Sequence, residues 1–290
     1  MRDPRLLAAA VGAAALLTLS ACTAPAAPPA PPAPPTVADS ADLPIAAEGD
    51  APPRLNLGGP PSLEEVEEFL VAVIEDADVV WTEWFLASGL QEPVLEYVVV
   101  QPDDAPWVSE CRPIVMESDT ANAYFCALDG SPDENGDPVG AIMFGAETMQ
   151  GLWTGNAFGI PIDVSGDFGA ALVVAHEFGH HITWELGTQL EWAEPGHVMW
   201  FELMADCFAG NWTATAYAKG ALETGDLEEA GAVLAVIGDA PGTVDHGSAE
   251  QRLEAFLLGY EGDGDEWGPG NPNACISTYW RTDDPTGADG

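Results

Sequence analysis

Apolar residues recur at helical spacing in five stretches of this chain, and three short apolar runs lie between the first stretch and the second. After the capping box Ser62-Leu63-Glu64-Glu65, Leu63, Val66, Phe69-Leu70 and Val73-Ile74 share one helical face. This helix is predicted to run towards Trp84-Phe85 and stop near Gly89. Val94 to Val100 is apolar and β-branched and reads as a strand. Tyr124 to Ala127 and Ala141 to Phe144 are shorter strand candidates, parted by Asp, Gly and Pro over 129–139. A second helix is expected from Gly166 to Leu186, with Ser165 or Asp163 as cap and Gly187 as stop. Pro195-Gly196 breaks the chain before a third, His197 to Lys219. Thr224-Gly225-Asp226 opens a fourth through Ile237. Ser248 and Gln251 form a capping box for a fifth, with Leu253, Phe256, Leu257 and Tyr260 as its buried stripe. Residues 261–290 are rich in Gly, Asp and Pro and read as loosely ordered apart from Cys275. Strands before a run of helices predict a small sheet that precedes the helical part.

The second and third helices carry the chemistry. His176-Glu177-Phe178-Gly179-His180 reads H-E-x-x-H, and Glu202-Leu203-Met204-Ala205-Asp206 follows it. Residues four apart share a helical face, so His176 and His180 can converge on one ion. Glu202 would complete two imidazoles and a carboxylate, the hard N/O set of zinc hydrolases, with one zinc per chain. Glu177, beside that face, is the candidate general base for water. Asp206 is the natural partner for Nδ1–H of His176. Other readings stay open: an ordinary polar helix surface, a third ligand at Glu185, Glu191 or Glu194, or Asp206 as a surface charge. His181 points about 100° from His180 around the helix and reads as packing or support. His246, just before the fifth helix, is either an oxyanion donor or a structural histidine. Arg252 is expected to pair with a buried acid, such as Asp206. The segment 140–147 is the guess for a strand edge that binds substrate backbone.

The N-terminus adds an address. Arg2 and Arg5 precede an apolar stretch from Leu6 to Leu19, too short for a comfortable membrane span. Leu19-Ser20-Ala21-Cys22 resembles a lipobox, which predicts a signal peptide over 1–21 and lipidation of Cys22; ordinary secretion is the alternative. Residues 22–61 then form an Ala/Pro-rich tether, 62–276 the domain and 277–290 a loose tail. Four cysteines remain, an even number that suggests two disulfides outside the cytoplasm. Of three connectivities, Cys111–Cys126 with Cys207–Cys275 is favoured; four reduced thiols are the alternative. With 7 basic and 48 acidic residues the net charge is −41, which argues against nucleic-acid binding. The acidity suits solubility, and a preference for cationic substrates is a further option. Oligomeric state is not legible.

Several motifs together resemble the bacterial neutral zinc metallopeptidase family. They are His176-Glu177-Phe178-Gly179-His180-His181, the run from Glu202 to Gly210, Gly225-Asp226-Leu227-Glu228-Glu229-Ala230, and His246-Gly247-Ser248-Ala249-Glu250-Gln251-Arg252, with Tyr124-Phe125-Cys126 and Cys275. The resemblance covers about 62–276. It implies a zincin-like α+β domain and zinc-dependent peptidase activity, with His176, His180 and Glu202 as ligands and Glu177 as base. The stretch Ala141 to Gly159 departs from the family pattern. The expected function is a lipid-anchored zinc endopeptidase acting on polypeptides. Alternatives are a non-catalytic zinc- or partner-binding surface lipoprotein and a zinc amidase acting on cell-wall peptides.

Overall fold

A computed structural model describes residues 60–111, 114–132, 136, 139–240 and 243–285. The expected signal peptide, Cys22 and nearly all of the tether lie outside these residues. The molecule is α+β, with small sheets followed by a helical half. Helix α1 (Leu63–Ala87) starts at a complete capping box: the Ser62 side chain accepts from the Glu65 N–H, and Glu65 accepts from the Ser62 N–H at 2.7 Å. Its apolar face, including Phe69, Trp81, Trp84 and Phe85, is buried in the main core. Among the described residues no helix is long and apolar enough to cross a membrane.

Strands β1 (Leu95–Val100), β4 (Ala123–Cys126) and β5 (Gly140–Gly145) form one sheet in the order β1-β5-β4. β5 pairs parallel to β1 and antiparallel to β4. All six residues of β5 are buried. The segment expected to offer a free edge is therefore the central strand, its backbone already paired on both sides. The free edge facing the helices belongs to β4. Two-residue ladders join β2 (Trp107–Val108) to β3 (Val115–Met116), and β6 (Asn156–Ala157) to β7 (Ile160–Pro161). Helix α2 (Ala146–Trp153) follows β5 directly.

Helix α3 (Phe168–Leu190) runs through Gly187 and stops where Glu191 turns left-handed at φ 53°. Its start is not capped by Ser165 or Asp163; the Phe168 N–H donates instead to Glu229 Oε2 at 3.0 Å, from α5 (Asp226–Ile237). Helix α4 (Val198–Ala218) begins at His197, whose Nδ1 accepts from the Met199 N–H. The helices cross at near-contact distance because glycines stand at the crossings. A Cβ on Gly179 would lie 2.7 Å from the Ala205 carbonyl oxygen, so only glycine lets α3 and α4 meet there. Gly259 of α6 (Ala249–Glu261) does the same on α4: its Cβ would lie 1.9 Å from the Cys207 oxygen.

The buried face of α6 is Arg252, Ala255, Phe256 and Gly259, rotated from the stripe expected. Leu253 is exposed, because Arg252 turns inward to a buried acid and Gly259 takes the close crossing. The C-terminal segment is also more ordered than its composition suggests. Helix α7 (Pro272–Tyr279) is capped by Asn271 and stapled by Cys207–Cys275. Beyond it, Trp280 Nε1 donates to the Ala193 carbonyl at 2.9 Å, and Trp200 Nε1 donates to the Asp283 carbonyl at 2.8 Å. Residues 277–285 are thus tied to the loop between α3 and α4 and to the first turn of α4 rather than loose; 286–290 lie outside the described residues.

Candidate metal centre

His176 and His180 stand one turn apart on α3, their rings edge to face with centroids 4.7 Å apart. The Gly179–Ala205 crossing brings Glu202 of α4 across from them. Its Oε2 lies 3.4 Å from His176 Nε2 and its Oε1 3.6 Å from His180 Nε2. One ligand atom from each of the three lies within 4.8 Å of the others. Glu185, Glu191 and Glu194 do not join this group: Glu185 accepts from Gln189 at 2.8 Å, and Glu194 lies elsewhere along the cleft wall. Two imidazoles and a carboxylate, largely shielded from water, fit a zinc ion with one position left over.

A buried chain of charges stands behind the ligands. Asp206, one turn after Glu202, is 0% exposed and meets His176 Nδ1 at 2.8 Å. Arg252 of α6, 2% exposed, grips the other side of the same carboxylate: Nε to Oδ2 at 2.7 Å and Nη2 to Oδ1 at 2.8 Å. Its Nη2 also lies 3.8 Å from Glu202 Oε2. Planar guanidinium and carboxylate match as a two-point pair, so Asp206 is fixed in rotation as well as place.

Burial and charge oppose each other throughout the site. Burial alone would hold the His176 imidazole low, but Asp206 and Glu202 push it up to about 10. Both carboxylates flanking that ring favour positive charge there, whether proton or metal. Burial pushes Glu202 and Asp206 up, yet the surrounding histidines and Arg252 hold both below their ordinary values. His180 is pulled down to about 4, chiefly by burial, and so stays neutral and ligand-ready near pH 7. Glu177 is pushed up to about 7, first by burial and also by Glu202, against His176 and Arg252. A carboxyl tuned near neutrality is suited to taking and returning a proton.

These groups open on a cleft of about 980 Å³. β4 lines one wall, and the Phe125 backbone hydrogen-bonds Glu177, so the sheet edge and the candidate base share one surface. Tyr124-Phe125-Cys126 was visible as a motif, but that it forms the edge was not. Trp184, one turn after His180, also lines the cleft and carried no sequence signal. His246 stands on the wall with its side chain 53% exposed and its Nδ1 3.6 Å from Asp239 Oδ1. Asp239, which the sequence did not flag, accepts the N–H groups of Asp245, His246 and Gly247 and so shapes that loop. His181 faces away from the cluster, 0% exposed, with Nε2 3.0 Å from the Pro93 carbonyl oxygen and its ring among Phe125, Phe178 and Trp184. It is a packing residue.

Both disulfides brace the site. Cys111–Cys126 ties the end of β4, and Cys207–Cys275 anchors α4 immediately after Asp206.

A family model described as "Putative neutral zinc metallopeptidase" matches residues 161–277. That stretch begins in β7 and runs into α7, so it contains α3, α4 and α6 and with them all the groups of the cluster. The chain is 36% identical to the uncharacterized protein YpfJ of Escherichia coli K12 over 39% of its own length and 45% of the relative's. It is 34% identical to the uncharacterized protein Rv2575 of Mycobacterium tuberculosis over 38% of its length and 44% of the relative's. The chain thus covers less than half the length of these curated relatives. No solved structure matches it.

Proposed function

We propose that this chain is a zinc-dependent endopeptidase, tethered outside the cytoplasm through a lipidated Cys22. The observation that carries the activity is the convergence of His176, His180 and Glu202 beside Glu177 in an open cleft. His176 and His180 through Nε2, and Glu202 through its carboxylate, would hold the ion. When bound, zinc supplies a Lewis acid that brings the pKa of its water to about 7. Glu177 takes the proton of the attacking water and delivers it to the leaving amine. Asp206 holds Nδ1–H of His176, and Arg252 holds Asp206, so the imidazole keeps Nε2 turned to the cleft. The β4 edge receives the extended substrate by main-chain pairing, the register that would lay a peptide bond beside Glu177. His246 donates from the rim to the carbonyl oxygen as negative charge develops on it.

The tether and the two disulfides support a setting outside the cytoplasm, and the acidity of the chain supports a lipid anchor over attraction to an anionic surface. The test is cleavage of an unstructured protein by wild type and Glu177→Gln, with zinc measured in both. The proposal expects bound zinc in both proteins and a loss of about 10²–10⁴-fold in rate for the variant. Equal cleavage by both would refute Glu177 as the base; zinc in both with no cleavage in either would favour a binding scaffold.

A further inference from the structure

We propose that the cleft selects substrates with a bulky apolar side chain beside the bond that is cut, and that Phe158 sets this selectivity; this rests on the peptidase reading above. The β6–β7 hairpin closes on a two-residue turn, Phe158-Gly159, with φ of 52° and 86°. Turns with positive φ at both central positions take Asn, Asp or Gly, because a side chain there crowds the backbone. An aromatic residue in the first of these positions is out of place for the turn alone. Its ring is half-buried, packs against the main core and lines the cleft.

Phe158 does not stand alone. Leu172 and Val173 also line the cleft, one turn before His176 and Glu177 on α3, so they continue the metal-bearing surface towards the helix start. Leu234 and Ile237 approach from the end of α5, and Ile160, half-exposed, stands across the hairpin turn from Phe158. All six side chains are apolar. Of the carboxyl groups lining the cleft, Glu202 and Asp206 face histidines and Arg252, and Glu177, one turn after Val173, is the candidate base. Trp184, one turn past His180 on α3, and Glu194, in the loop after α3, also line the cleft. Phe158, Ile160, Leu172, Val173, Leu234 and Ile237 therefore make an apolar stretch of the cleft wall, despite the acidity of the chain. It offers apolar surface, where a side chain that fills the space gains roughly 10-fold or more per added methylene.

The test uses the full zinc-loaded chain and casein as an unstructured substrate, with fragments sequenced by mass spectrometry. Cuts are expected beside Leu, Ile, Met, Phe or Val on one fixed side of the bond, roughly 10-fold or more above other residues. Phe158→Asn keeps a residue suited to positive φ and should reduce that preference several-fold, with zinc content near that of wild type. Ile237→Ser should reduce it in the same direction, from a different element. Cuts placed without regard to apolar residues, or a preference unchanged in both variants, would overturn this proposal and leave the peptidase reading standing. No cut by zinc-loaded wild type would overturn the peptidase reading, and this proposal with it.

Discussion

Two clusters of metal-capable side chains lie along α3, and they differ in what neutralises them. His176, His180 and Glu202 mix two imidazoles with one carboxylate, and Arg252 and Asp206 stand behind them in fixed hydrogen bonds. Asp167, Asp226 and Glu229, at the helix start, are three carboxylates with no imidazole. Burial, then Asp226 and Asp167, push Glu229 up to about 7, and its carboxylate is used as a cap for the Phe168 N–H. Proximity of acidic groups is common to both regions. What sets the first apart is the pairing of ligand types with a buried counter-charge network and an open cleft. The second is accounted for as a helix cap assembled from two elements, and the positive end of α3 favours the negative charge it collects.

Arg252→Met removes the guanidinium that holds Asp206 through two hydrogen bonds and leaves that fully buried carboxylate with His176 alone. It should cost about 3–5 kcal/mol in urea unfolding of the metal-free protein. Adding Asp206→Asn to that variant should restore part of the loss; an additive double variant would show that the pair is not coupled. Next in size is Asp206→Asn alone, which keeps the shape but not the charge behind His176. Zinc affinity measured by competition with a chelator should fall about 10–100-fold. Unchanged affinity would remove Asp206 from the account of the site.

The smallest effect belongs to the second cluster. The folded-state pKa of Glu229, about 7, lies above the ordinary value of about 4.3, so the folded state binds the extra proton between those limits. Stability tied to this group is present below the lower limit and is lost as pH rises through the upper one. Glu229→Gln should therefore melt less differently between pH 5 and pH 8 than wild type, because the amide oxygen still caps Phe168 without titrating. A pH dependence of melting identical to that of wild type would contradict the assignment.

How much of this was legible in the chain depended on the range of the signal. Ser62 and Glu65 cap α1 within four residues, and His197 caps α4 within three, so those starts could be read locally. The start of α3 could not, because its cap, Glu229, lies 61 residues away in sequence. Strand order is also non-local. The uninterrupted apolar run of β5 is what a strand covered on both faces requires, and that feature marks 140–145 as central rather than edge. The periodicity of α6 placed Leu253 inside, whereas the Asp206–Arg252 pair turned Arg252 inward instead. Helix α7 was hidden by the Gly-rich residues before it, although Asn271-Pro272 is a legible start. The cluster was the easiest part to read, since both histidines lie within one turn and Glu202 and Asp206 within another.

His176, His180 and Glu202 are expected to hold zinc, and the carboxylate triad is not. Elemental analysis of the disulfide-intact chain, after zinc loading and removal of excess, tests it directly in wild type, His180→Ala and Glu229→Gln. The account predicts about one zinc per chain in wild type and in Glu229→Gln, and a large loss in His180→Ala. Zinc retained in His180→Ala and lost from Glu229→Gln, or no zinc in wild type, would contradict it.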